Sequence, residues 1–189
     1  MKRKLKIAGL ALLSAIGLFL ILDFAFPFQP KINYATQITD QKGNVIHAFL
    51  NKEDKWRLYA SVPEITPLLR KTLIYKEDQY FYYHPGVNPF AVVRAGVRNI
   101  FTGRRTSGAS TITMQVVRLT EPRRRTYLNK ILEIHRAFQL ELHYSKAEIL
   151  QMYLNLVPYG GNIEGIKAAS LLYFGKPPQL LSLSEITAL

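Results

Sequence analysis

The sequence opens with the feature that most restricts its fold: sixteen uncharged residues, Ile7 to Leu22, follow Lys2, Arg3, Lys4 and Lys6. An apolar run with a basic flank reads as a membrane segment. Leu5 and the stretch from Phe24 to Phe28 bring it to the roughly 20 residues that a span needs. The lysines can snorkel at one end, and Asp23 falls at the other interface. A cleaved signal peptide is the alternative, but a small-residue cleavage box is hard to place where Phe24, Phe26 and Phe28 crowd the exit. The expectation is an uncleaved anchor with its basic flank over residues 1–28. The N-terminus is then cytoplasmic and the rest periplasmic or extracellular.

Composition limits what the anchor can carry. With 189 residues and 48% hydrophobic content, one domain with a sizeable core fits, and two full domains plus an anchor do not. The absence of cysteine excludes disulfides, thiolate metal sites and a thiol nucleophile. The formal charge is +12, and Arg94 to Arg136 holds ten Lys or Arg against two acids. Such a field suits a polyanion: nucleic acid, anionic headgroups or a lipid-linked pyrophosphate. The bland alternative is a solubilising basic surface. An outward-facing anchor turns the reading toward lipid-linked partners and away from nucleic acid.

Residues 29–62 read as an extended juxtamembrane linker. Thr36 to Asp40 and Val45 to Leu50 flank the turn-forming Gln41-Lys42-Gly43-Asn44, which predicts a small hairpin, and Trp56 to Ala60 continues the β-element. From residue 63 to 189 the pattern is helical. Thr66-Pro67 and Asn88-Pro89 are helix starts, the second with Phe90, Val93, Val97 and Phe101 on one face and Gly103 as a stop. Thr126 opens a helix to about Tyr144, and Ser145 to Glu148 is a capping box for the next, which stops near Pro158 and Gly160-Gly161. Another helix follows Asn162. Ser182 to Glu185 opens a last one that Leu189 cuts short, so a truncated domain is expected.

Two carboxylate sites stand in the basic field: Glu77-Asp78 near a helix end, and Glu133, three residues after Lys130 on one helix face. Paired carboxylates serve acid–base work on sugars, although Lys130–Glu133 alone is more simply a surface ion pair. The stretch Gly108 to Gln115 is dense in small and hydroxylated residues, with Arg118 and Arg123 to Arg125 just beyond. Hydroxyls and guanidiniums can hold a pyrophosphate and stabilise its departing charge; otherwise the stretch is a Ser/Thr-rich helix start. The four histidines show no metal-ligand spacing, and His84 reads as structural. No Ser is followed three residues later by Lys, so an acyl-transfer nucleophile of the β-lactam type is missing.

Read together, these segments resemble the peptidoglycan glycosyltransferase family of class A penicillin-binding proteins and monofunctional glycosyltransferases. Glu77-Asp78-x-x-Phe81-x-x-His84-x-Gly86 and Gly108-x-Ser110-Thr111-x-Thr113-x-Gln115 match its first two motifs at every signature position. Asn129-Lys130-x-x-Glu133 matches the third, with Asn129 in place of Arg. Lys146 to Tyr153-Leu154-Asn155 matches the fourth, and Tyr173-Phe174-Gly175-Lys176 with Leu183 to Leu189 resembles the fifth. Met114 and Pro158-Tyr159-Gly160-Gly161 are similar to the penicillin-binding protein 1C branch, whose members normally continue into a transpeptidase domain.

The resemblance implies a mainly α, lysozyme-like domain that polymerises lipid II and releases undecaprenyl pyrophosphate. Glu77 would be the catalytic base and Glu133 would position the donor, directly or through a divalent cation, Mg or Mn. Lys130, Arg118 and Ser110, with Thr111 and Gln115, would bind the pyrophosphate and substrate, and Asp78 would orient or tune Glu77. Phe81, His84, Gly86, Tyr153 and Asn155 would be structural, and Lys146 structural or part of the glycan groove. The implied partners are lipid II, the growing lipid-linked glycan, the membrane and other cell-wall synthesis proteins. The stretch from Pro89 to Arg105 could lie against the bilayer or be a core helix with a basic outer face. Two rival functions use the same residues: a lysozyme-like enzyme that cleaves glycan, and a non-catalytic, membrane-tethered glycan-binding scaffold.

Overall fold

The computed structural model describes residues 2–102 and 110–189. The Gly103 stop and the Gly108 and Ala109 positions of the second motif lie outside them. The chain begins with one continuous helix, α1 (Lys2–Ala25). At 1.5 Å per residue its 24 residues reach roughly 36 Å, more than the ~30 Å hydrocarbon layer. By length and composition α1 can cross a membrane. Leu10, Leu13, Leu18 and Phe24 face outward from it, and Asp23 is buried against the domain.

The expected hairpin forms from β1 (Gln37–Thr39) and β2 (Val45–Ala48). The Asp40 carboxylate accepts the backbone N–H groups of Lys42 and Asn44, and Gly43 takes the positive φ that the turn requires. The third strand, β3 (Trp56–Arg57), pairs elsewhere, running parallel to β5 (Ile163–Glu164), which is also antiparallel to β4 (Pro158–Gly160). Arg57 is buried, and its guanidinium is held by Glu164, Glu53 and the Asn33 carbonyl. A buried guanidinium is tolerated only with such partners.

Thr66, Asn88, Thr126, Ser145 and Ser182 start helices as expected, and Thr111 adds a cap that the sequence reading did not single out. Thr66 caps α2 (Pro67–Asp78), Thr111 caps α4 (Ile112–Thr120), and Thr126 caps α5 (Tyr127–His143), each accepting a backbone N–H. Asn88 accepts the Ala91 N–H at the start of α3 (Pro89–Thr102). Reciprocal capping boxes open α6 (Lys146–Leu156) from Ser145 and Glu148, and α8 (Leu183–Ala188) from Ser182 and Glu185. Between them lies α7 (Ile166–Phe174).

Helix α4 lies at the centre of the core, against α2, α5 and α6. Its Ile112, Met114, Val116 and Val117 are buried with Leu140 of α5 and Ile149 and Leu154 of α6. The apolar face of α3 is not part of this core: Phe90 and Phe101 are 84% and 85% exposed, and Val93 and Val97 are exposed as well.

Asn155 joins α6 to the segment after β3. Its side chain accepts the Ala60 N–H at 2.8 Å and donates to the Ala60 carbonyl at 2.9 Å. It also donates to the Gln151 carbonyl. On its other side, a Cβ at Gly165, whose φ is +82°, would fall 2.6 Å from the Asn155 carbonyl oxygen. Asn155→Ala would leave both Ala60 backbone groups buried without partners, at a cost of about 3 kcal/mol. A lowered thermal midpoint in detergent is expected, and an unchanged one would count against this role.

Candidate active site

Glu77 and Asp78 occupy the last turn of α2, where the helix turns successive side chains about 100° apart. Glu77 is exposed and Asp78 is buried. The Asp78 hydrogen bonds go to His84 Nε2, 2.9 and 3.0 Å from its two oxygens, and to the backbone N–H of Ile112 at 3.0 Å. Ile112 is the first residue of α4, so a carboxylate sits on the positive end of that helix.

The rest of the first motif forms a block around this contact. Phe81 is fully buried, and the Lys146 ammonium lies 4.5 Å from its ring centroid. Lys146 also donates to the His84 carbonyl and to Glu141, each at 2.7 Å, and Glu141 accepts the Thr113 hydroxyl. Gly86 has φ +89°, and a Cβ there would meet the Ala137 carbonyl of α5 at 2.9 Å. The Thr111 hydroxyl donates to the Gly86 carbonyl while accepting the Met114 N–H that caps α4. Segments from four of the motifs' elements are thereby locked together.

On the open side of the block, Gln115 of α4 donates to Glu77 Oε2 at 3.0 Å. Arg118 follows three residues later, close to one turn along α4 and thus on the same face. Beneath them, burial raises the Tyr153 phenol far above its usual pKa, the Glu77 charge raises it further, and Arg118 opposes the shift. Tyr153 therefore stays a neutral phenol beside Glu77.

Arg118 lines a pocket of about 360 Å³ together with Arg123, Arg124, Arg125, Lys130 and Arg136. The acids in its wall are Glu121 and Glu133. Lys130 donates to Glu133 at 2.8 Å and to the Ser110 hydroxyl at 3.2 Å, bringing the second and third motifs together. The Glu133 side chain is 14% exposed, so this pair is more enclosed than an ordinary surface bridge. The pocket can take a diphosphate by charge and hydroxyl donation.

Among the described residues no three His, Cys, Asp or Glu gather as a metal cluster. Glu133 could supply one carboxylate to Mg²⁺, which commonly completes its shell with water and phosphate oxygens.

Sequence reasoning missed Glu141 and Arg136. Glu141 and Lys146 are five residues apart across a helix boundary, outside the recognised spacings. Arg136 contributed to the charge count, but nothing in its neighbourhood sets it apart from other basic residues.

The transglycosylase family model matches residues 42–189. Penicillin-binding protein 1C of Escherichia coli K12 is 44% identical over 159 residues, covering 84% of this chain and 21% of that protein. Penicillin-binding protein 1F of Bacillus subtilis 168 is 35% identical over 182 residues, covering 94% of this chain and 25% of that protein. For penicillin-binding protein 1A of Aquifex aeolicus the figures are 35% over 156 residues, 82% and 21%. The chain thus spans a fifth to a quarter of the length of these relatives. The 1C similarity agrees with the branch suggested by Met114 and Pro158 to Gly161. With its mainly helical, lysozyme-like domain and a match that runs from the hairpin turn to Leu189, the chain belongs to the transglycosylase family.

Proposed function

We propose that this chain is the glycosyltransferase part of a membrane-anchored enzyme that polymerises lipid II into β-1,4 glycan strands. The observation that carries the reading is the placement of an exposed carboxylate, Glu77, beside α4, whose next turn supplies Arg118 to a basic pocket. A base and an anion-binding pocket on one helix are what displacement of a pyrophosphate requires.

In this mechanism Glu77 takes the proton from the acceptor sugar's 4-hydroxyl. That oxygen forms a bond to the donor's anomeric carbon as the bond to the undecaprenyl pyrophosphate oxygen breaks. Attack from the opposite face inverts the α-linked donor to a β-1,4 bond. Gln115 orients the Glu77 carboxylate through its hydrogen bond. Arg118, Lys130 and the Ser110 hydroxyl stabilise the negative charge that collects on the pyrophosphate. Glu133 holds Lys130 in place and is the residue that would hold a divalent cation, whose chemistry would be neutralisation of pyrophosphate charge. Asp78 acts through the backbone, by fixing the start of α4.

The lipid tail of such a substrate requires the site to work at a bilayer. We place α1 across the cytoplasmic membrane with its basic N-terminus inside and the domain outside, on the charge asymmetry at its ends. The exposed α3 face, with Phe90, Val93, Val97 and Phe101, is read as lying against the lipid.

Purified protein given lipid II should make glycan chains. In Glu77→Gln the rate should fall by roughly 10²–10⁴ while lipid II binding is largely retained. Unchanged activity in that variant would favour the scaffold, and shortening of preformed glycan without polymer growth would favour a hydrolase. In a chain lacking residues 1–28, substituting Phe90 and Phe101 with Asp should sharply reduce co-flotation with lipid vesicles. Equal flotation would remove α3 from the membrane surface.

A further inference from the structure

The anchor is held where it meets the domain. Asp23, in the last turn of α1, is 8% exposed. Its Oδ1 accepts Gln139 Nε2 at 2.9 Å, and its Oδ2 lies 2.9 Å from His143 Nε2. The fully buried Gln139 also donates to the Phe26 carbonyl at 3.1 Å, and its Oε1 accepts Arg136 Nη1 at 2.8 Å. Arg136 donates to the same Phe26 carbonyl at 2.7 Å, and its guanidinium lies 5.3 Å from the Phe28 ring centroid. One turn earlier in α1, Phe19 meets His135 and Phe138 edge-on. All of these partners belong to α5.

An ionisable side chain at the edge of a membrane span is costly unless paired. Here both carboxylate oxygens are engaged by one helix of the domain, which favours the docked anchor over one that swivels. Apolar contact, such as that of Phe19, is non-directional and sets rotation about the helix axis only loosely. Hydrogen bonds are directional and fix it. The docked helix is also part of the site: α5 carries Lys130 and Glu133, and Arg136 both grips the anchor's exit and lines the basic pocket.

We propose that Asp23 is a positioning residue. Bound to Gln139 and His143, it fixes the rotation of α1 against α5, and so the height and facing of the basic pocket over the bilayer. The effect on turnover rests on the reading of a lipid-linked substrate; the clamp itself does not.

Because the chain has no cysteine, Ile16→Cys and Leu142→Cys would place two spin labels on exposed positions of α1 and α5. In the full chain in lipid nanodiscs, a narrow distance distribution is expected. Asp23→Leu should broaden or shift it, whereas Asp23→Asn, which keeps an acceptor for Gln139, should leave it narrow. With lipid II embedded in a bilayer, Asp23→Leu should raise KM about tenfold with little change in kcat, and its rate on a detergent-soluble short-chain analogue should match the unsubstituted chain. An unaltered distribution in Asp23→Leu, or a broad one without it, overturns the clamp. No loss of activity, or equal loss on both substrates, overturns the positioning role. Failure of the unsubstituted chain to polymerise either substrate, with the distances responding as expected, overturns the reading of function and supports the clamp.

Discussion

Asp78 holds the site's framework. Its carboxylate is buried, and it joins three pieces of chain: the end of α2, the His84 loop and the first N–H of α4. A buried charge survives only when hydrogen bonds replace its lost water, and the helix N-terminus adds a favourable field. The start of α4 is thereby tied to the helix that carries Glu77. Gln115 and Arg118 derive their positions from that start, and the inward turn of Asp78 leaves its neighbour Glu77 facing outward. The adjacent acids meet different environments, one exposed and one buried, because the helix turns successive side chains about 100° apart.

A second layer reinforces this contact. Lys146 and Glu141 form a bridge whose side chains are only 22% and 10% exposed, and each partner also bonds a motif element, the His84 carbonyl and the Thr113 hydroxyl. Gly86 lets the loop approach the α5 backbone more closely than any side chain would allow. The bridge is therefore a means of registering α4, α5 and α6 against one another more than a source of net stability, since desolvation offsets much of its attraction.

Local chemistry was legible in the sequence, and distant pairing was not. Thr66, Thr126, Ser145 and Ser182 were readable as caps because a cap is a contact within a few residues, whereas Thr111, which caps α4, stood only within a Ser/Thr-rich stretch. The Lys130–Glu133 pair was legible for the same reason. Ser110 could be named as a phosphate donor, but its contact with Lys130 depends on how α4 and α5 pack. For secondary structure, Pro158 to Gly161 signalled the end of α6, and its strand exists because β5 pairs beside it. The apolar face of α3 was equally readable as a core face or a membrane face. Periodicity identifies a stripe without saying what covers it.

The parallel pairing of β3 with β5 has a consequence for how the chain is made. Arg57 and Glu164 are 107 residues apart, with helices α2 to α6 between them. Contacts within helices close short loops and form early, whereas such a distant pair must wait for the whole intervening chain. A nascent chain emerging from the ribosome, N-terminus first, offers β3 nothing to pair with until residue 164 has followed. Strand β3 is among the first parts of the domain synthesised and among the last to be secured, so the unfinished domain exposes an unpaired sheet edge for the length of that delay.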